Sequence, residues 1–256
     1  MKYLDLTLPT PEENLACDET LLDWCDERDG PEVLRFWEPN RHFVVVGYSN
    51  RVECEVNLAA CRELNIPVLR RCSGGGTVVQ GPGCLNYALI LRVASHPALQ
   101  TVTGANRFVM ERNHQALEKL LPGSNRRTEA QSSKTEIRNP KVSVRGHADL
   151  AIDGRKFSGN AQRRKRHAVL FHGTFLLDFD HDLVSRLLPM PSKEPDYRRS
   201  RSHADFLVNL YVSAAEVKAA LTQAWGAAVA VDELPSAGTR ELAIEKYSSE
   251  AWRLKF

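Results

Sequence analysis

Residues 70–78 read Arg-Arg-Cys-Ser-Gly-Gly-Gly-Thr-Val. Three consecutive glycines lose so much backbone entropy on ordering that the run suits neither a helix interior nor a strand interior. It suits a sharp bend in which the main chain comes close to a ligand. Bare N–H groups in such a bend form a concavity for an anion, and Arg70 and Arg71 add planar forks of donors that match phosphate or carboxylate. An ordinary glycine turn with two solvated arginines satisfies the same residues. Ile66-Pro67-Val68-Leu69 enters the bend as a strand, and Leu85 to Leu91 is expected to lie beside that strand.

The rest of the chain alternates helix and strand signals. Pro11 to Asp26 predicts a helix with Thr10 as N-cap, Pro11 at the first helical position and Glu13 completing a capping box; Leu15, Ala16, Thr20, Leu21 and Trp24 would form its buried stripe. Asp29-Gly30 marks its end. Val33 to Trp37 alternates as a strand, and Phe43 to Gly47 is a continuous apolar run suited to a strand covered on both faces. Val56 to Leu64 predicts a helix, as does Phe108 to Leu121, which stops at Pro122-Gly123. Residues 124–140 are polar and read as a loop. Asp153-Gly154 is a preferred two-residue hairpin turn between Ala148–Ile152 and Arg155–Phe157. Val169 to Phe179 reads as a strand pair, residues 189–203 carry too many prolines for long regular structure, and Ser213 to Trp225 is an amphipathic helix.

A chain of 256 residues with 43% hydrophobic and 26% charged residues is ordinary for a globular protein, and a net charge of +2 gives no argument for nucleic acid. Met1 to Thr7 lacks the apolar segment of a signal peptide, and no run approaches the ~18 apolar residues of a membrane span. A cytoplasmic location without membrane contact is expected. All six cysteines lie between Cys17 and Cys84, with no CxxC pair and no zinc spacing. Reduced, mostly buried thiols fit that spread, and no metal site is expected.

Lys156 follows the Asp153-Gly154 turn and precedes Ser158-Gly159-Asn160-Ala161. A lysine there is ordinarily a surface charge. The small neighbours, however, leave room for a ligand along the backbone, and a compact ammonium beside that path neutralises a phosphate and an acyl oxygen together. His172-Gly173-Thr174 lies in an apolar strand, where a lone histidine is more often structural than catalytic.

Taken in order, RRCSGGGTVV, GPGCLNYALIL, DGRKFSGNAQ and FHGTFLLDFD resemble the lipoate–protein ligase family, in the wider group with biotin–protein ligases and octanoyltransferases. The resemblance runs from the first helix to about residue 225, and the separation of roughly 80 residues between the arginine–glycine run and the Lys-x-x-Gly-Asn-Ala run makes it specific. It implies an α+β fold with a mixed, largely antiparallel sheet flanked by helices, like class II synthetase and biotin–lipoate ligase domains. One catalytic domain over residues 1–256 is expected. About thirty residues follow the last predicted helix, too few for the C-terminal accessory domain common in the family, which leaves a short form or a separate accessory chain.

The resemblance also implies an activity: ATP-dependent attachment of lipoate, or a related medium-chain acid, to a lysine of a lipoyl-type acceptor domain through an acyl-adenylate. ATP and Mg2+ would be the cofactors, and the acceptors would be of the 2-oxoacid dehydrogenase E2 or glycine cleavage H protein type. Carried over by motif, Lys156 would bridge the activated carbonyl and the α-phosphate. Arg71, Ser73, Gly75, Gly76 and Thr77 would hold the acyl carbonyl and phosphate region, with Asn86 and Asp149 near the nucleotide. Gly159, Asn160 and Ala161 would lie along the nucleotide or acyl chain, and His172, Gly173 and Thr174 would close the pocket. Val44, Val78 and Leu89 are candidates for the acyl path, or plain core.

Departures from the family pattern keep two other readings open. Gln80-Gly81 stands where ligases carry His-Asp, Gly83-Cys84 where they carry Gly-Asn, and Ala148-Asp149 where they carry Asn-Asp. An ATP-independent octanoyl or lipoyl transferase would need a thiolate near the lysine; residues 131–148 contain no cysteine, so Cys72 and Cys84 are its candidates. A non-catalytic lipoate-binding module is the third reading. The cluster Arg163-Arg164-Lys165-Arg166-His167 lacks interleaved aromatics and reads as a solvated hairpin tip or as a basic rim for an acidic acceptor domain, not as a nucleic-acid site.

Overall fold

Strands buried along most of their length build two sheets here, with the glycine bend between them. The computed structural model describes residues 1–27, 30–121 and 141–256. Asp29, the Pro122-Gly123 stop and the loop expected at 124–140 lie outside the described residues. The larger sheet, in spatial order, contains β11 (Val229–Ala230), β1 (Lys2–Asp5), β2 (Val33–Trp37), β6 (Cys84–Arg92), β10 (Ala168–Leu176), β9 (Arg155–Arg164), β8 (Asp149–Ile152) and β7 (Val142–Arg145). β1 runs parallel to β2 and β11, and every other pairing in this sheet is antiparallel. The smaller sheet has the order β4 (Val68–Arg70), β3 (Phe43–Val46), β5 (Val78–Gln80).

β6 does not lie beside β4, as the sequence suggested. Eight of its nine residues are buried, so it belongs between two neighbours, and it pairs with β2 and β10 in the large sheet. The glycine bend instead carries the chain from β4 around to β5 on the other side of β3. Val169 to Phe179 likewise holds one strand, β10, which ends at Leu176, and not a pair. It runs unbroken through Gly173 because only a glycine admits the Asn160 side chain from β9; a Cβ at 173 would sit 1.8 Å from Asn160 Oδ1.

Helix α1 (Pro11–Glu27) starts as predicted, with reciprocal hydrogen bonds between Thr10 and Glu13. The helix expected at 56–64 is α3 (Leu58–Glu63), and a separate short helix, α2 (Val52–Glu55), precedes it. The break falls where Val56 is extended and the Asn57 side chain caps Ala60 N–H, so a capping residue restarts the chain. α4 (Val102–Glu118) and, after short helices α5 (His181–Leu187) and α6 (His203–Phe206), α7 (Ala214–Trp225) cover one face of the large sheet, burying Val109, Met110, Val217 and Leu221 against Leu34, Phe36, Tyr87 and Leu89. α1 covers the other face with Cys17, Leu21, Leu22 and Cys25 against Ala88, Ile90 and Leu170.

The C-terminal segment packs on α1 and β4 through α8 (Ser236–Leu242), a π-turn at Ala243–Tyr247, and α9 (Glu250–Arg253). Tyr247 and Lys246 both bind the Glu19 carboxylate. Arg70, expected to face a ligand, is fully buried: it donates to the carbonyls of Gly47, Tyr48 and Asn50 and to those of Trp252 and Arg253. Its fork therefore ties the bend to the C-terminal helix. Among the described residues no helix is long and apolar enough to cross a membrane.

Candidate active site

A cavity of about 120 Å3 opens where the glycine bend, α1 and strands β6, β9 and β10 converge. It is lined by Arg71, Gly75, Gly76 and Thr77 on one side and by Lys156, Gly159, Asn160 and Ala161 on the other, with Asn86, His172, Gly173 and Thr174 between them. Two sequence-derived candidates, Ser73 and Asp149, stand one hydrogen bond behind the wall. The bend and the lysine hairpin thus share one cleft.

The hairpin places Lys156 by a type I′ turn, with Asp153 and Gly154 at φ +49 and +73. A β-bulge opposite Leu150/Ala151 shifts the register between β8 and β9, leaving Phe157, just after the lysine, without a partner on β8. Lys156 Nζ lies 2.8 Å from Asp149 Oδ1, and Tyr197 donates to Oδ2 of the same carboxylate at 2.8 Å. Burial and that carboxylate push the Tyr197 hydroxyl well above the usual tyrosine range, so it stays a donor. The ammonium passes directly over Gly159, where a Cβ would lie 2.6 Å from Nζ. Gly159→Ala is therefore expected to displace a flexible side-chain end, lowering activity about 10–100-fold with a melting temperature within about 3 °C of wild type; turnover and a thermal melt check it.

Arg71 is buried, and its guanidinium is spent inside the bend. It donates to the carbonyls of Val45, Gly74 and Gly76 and to Ser73 Oγ. Burial without a carboxylate partner lowers it to about 10, still protonated at neutral pH. It holds the shape of the bend and keeps a positive charge against the cavity.

The polar floor is closed on itself. Gln80 donates to Thr174 Oγ1, Thr174 donates to Asn86 Oδ1, and Asn86 donates back to Gln80 Oε1. Gln80, at the family's His position, is thus a member of a satisfied ring. Tyr87, also on the cavity, donates to Asn160 Oδ1 at 2.6 Å and accepts from Asn113. Leu15, Trp37, Val45 and Val78 make the apolar end. Val78 is where the sequence put it, whereas Val44 and Leu89 belong to the packed cores.

Sequence reasoning missed Asp18. It sits on the buried side of α1, three residues from Leu15, and lines the cavity. Its carboxylate accepts from Arg35, a fully buried cation inside the apolar strand β2, and faces His172 Nδ1 at 3.4 Å. His172 Nε2 lies 2.6 Å from Ser73 Oγ. The detectable signal was a pair of opposite charges, each placed where its own element's pattern calls for an apolar residue. Tyr197 carried no signal, because it comes from the proline-rich segment.

None of the six cysteines lines the cavity. Cys72 and Cys84 are buried, and burial pushes both thiols up to about 12. Both thiols therefore favour the protonated form, and neither faces the cavity where the sequence suggested a nucleophile. Arg71 gives its donors to the carbonyls of the bend and to Ser73 Oγ, and among the described residues no three His, Cys, Asp or Glu group as a metal site.

Two proteins named octanoyltransferase LipM align end to end with this chain. The one from Bacillus subtilis (strain 168) is 30% identical and the one from Geobacillus kaustophilus (strain HTA426) 29%, each over 99% of this chain and 98% of its own length. Their names correct the ATP-dependent ligase reading: they are transferases, which move an acyl group from donor to acceptor, not ligases. Solved structures agree on the fold. A bi-partite lipoate protein ligase from Thermoplasma acidophilum superposes with a TM-score of 0.78 at 23% identity, covering 99% of this chain and 95% of that one. A lipoate-protein ligase A bound with ATP gives 0.73 at 26%, covering 99% of each chain. The lipoyl protein ligase A/B catalytic domain matches residues 10–226, and the chain belongs to that family.

Proposed function

We propose that this protein transfers an octanoyl or lipoyl group, without ATP, from a carrier thioester or protein amide to a lysine of a lipoyl-type acceptor domain. The observation that carries the reading is the shared cleft: Lys156 faces the arginine-organised glycine bend across a cavity with an apolar end, in a chain aligned over its length with octanoyltransferases. A thioester is already an activated acyl donor, so no adenylate is needed. What the protein must supply is shelter from water, a place for the developing oxyanion and a neutral attacking amine. Lys156 gives the first positive charge at the oxyanion, the backbone bend gives shape, and Leu15, Trp37, Val45 and Val78 hold the chain.

The bound acceptor supplies its own lysine amine. An E2 lipoyl domain accompanies the bi-partite Thermoplasma ligase, which supports that class of acceptor by analogy. The protein, an octanoyl acyl-carrier thioester and a lipoyl domain are mixed with and without ATP and the acceptor is weighed by mass spectrometry. One added octanoyl group, equal in the two arms, is expected; an acceptor of unchanged mass would remove the reading.

A further inference from the structure

Resting on the transferase reading, we propose that Tyr197 is a positioning residue for the reaction: it stands outside the cavity and, through Asp149, aims the Lys156 ammonium at the acyl carbonyl. Lys156 has little else to fix it. Its Nζ passes over Gly159, so no side chain walls it on that side, and among the described residues Asp149 is its one side-chain partner. A lysine stem is long and flexible, so the ammonium stands where that carboxylate holds it.

Asp149 needs a second contact to hold still. It lies on β8 opposite Gly159 of β9, and a carboxylate with a single partner turns easily about its last bond. Tyr197 takes Oδ2 at 2.8 Å and leaves Oδ1 to the lysine at 2.8 Å. With its two oxygens committed to different donors, the carboxylate has one orientation, and so does the contact it makes with the ammonium.

Tyr197 is itself tied to the hairpin that carries the lysine. Arg201 donates at 2.8 Å to the Tyr197 carbonyl and at 2.8 Å to the carbonyl of Gly154 in the hairpin turn. The Tyr197 ring packs on Phe206 with centroids 5.1 Å apart, and the Val208 N–H donates to the Lys156 carbonyl at 2.9 Å. The segment 197–208 therefore grips residue 156 twice, at its main chain through Val208 and at its ammonium through Tyr197 and Asp149. The charge in the cavity is placed by a segment that does not line it. Misplacing a reacting group by about 1 Å costs about 10^2-fold in rate, so the second grip has a measurable effect.

Transfer from an octanoyl acyl-carrier thioester to a lipoyl domain is followed by acceptor mass for the wild type and for Tyr197→Phe, which keeps the ring and removes the hydroxyl. Tyr197→Phe is expected to lower kcat about 10–100-fold and to leave the KM for the thioester within about 2-fold, because the acyl chain keeps its contacts. The same substitution is then made in Lys156→Met and in Asp149→Ala proteins. There it is expected to cost less than about 2-fold, since either the group being placed or the link to it is already gone. A Tyr197→Phe protein with wild-type kcat overturns the proposal. So does an equal loss in all three backgrounds, which is the result of a general weakening of the fold. Acceptor mass in the wild type reports the transferase reading and the comparison of backgrounds reports Tyr197, so a wild type that acylates nothing rejects the former and takes the latter with it.

Discussion

Lys156→Met is expected to lower octanoyl transfer by about 10^2–10^3-fold while the melting temperature stays within about 3 °C of wild type. The substitution removes a positive charge from the cavity and keeps the apolar stem. In a site sheltered from water, loss of one donor aimed at a developing oxyanion has that order of effect on the chemical step. Stability changes little because the Lys156 side chain is about a quarter exposed, at 25%, and Asp149 keeps its bond from Tyr197. Single-turnover transfer followed by acceptor mass, beside a circular dichroism melt, tests both halves. Unchanged turnover in a folded Lys156→Met protein would show that the ammonium takes no part in the reaction.

Arg35→Met should have the largest effect on stability, a loss of about 3–5 kcal/mol in urea unfolding, because it leaves the Asp18 carboxylate buried without its cation. Arg35 also donates to the carbonyls of Leu6 and Asn14 and to the Asn14 side chain, which anchor the start of α1. Adding Asp18→Asn to Arg35→Met should recover part of the loss, since the stranded charge is then gone. That double variant would still lack the carboxylate opposite His172, so it separates folding from function. Equal stability of Arg35→Met and wild type would mean that water reaches this pair in solution.

Much of the fold was legible because the signals were local. The Thr10–Glu13 capping box and the Asp153-Gly154 turn depend on residues within four positions of one another, and the Ser213 to Trp225 helix on its own periodicity. The lysine and the glycine bend were legible as chemistry, being residue types out of place in regular structure. What failed was non-local. Pairing of β6 with β2 and β10 instead of β4 is decided by which faces are covered, and no short window contains that. Nor does any short window show that Gly173 is the gap that admits Asn160 from β9. The role of Arg71 was misjudged in one respect: the carbonyls of the glycine run point inward and absorb its donors.

β10 lies in the interior of the large sheet, flanked by β6 and β9, and supplies His172, Gly173 and Thr174. Their partners come from chain positions as far apart as 18, 73 and 160. A pocket assembled across such sequence separations has no partly formed version: its groups meet only when the long-range strand pairing is complete. Acyl-transfer competence should therefore appear as the last consequence of folding and vanish with the slowest-exchanging amides, so that a nascent or damaged chain exposes no half-built centre able to seize a thioester.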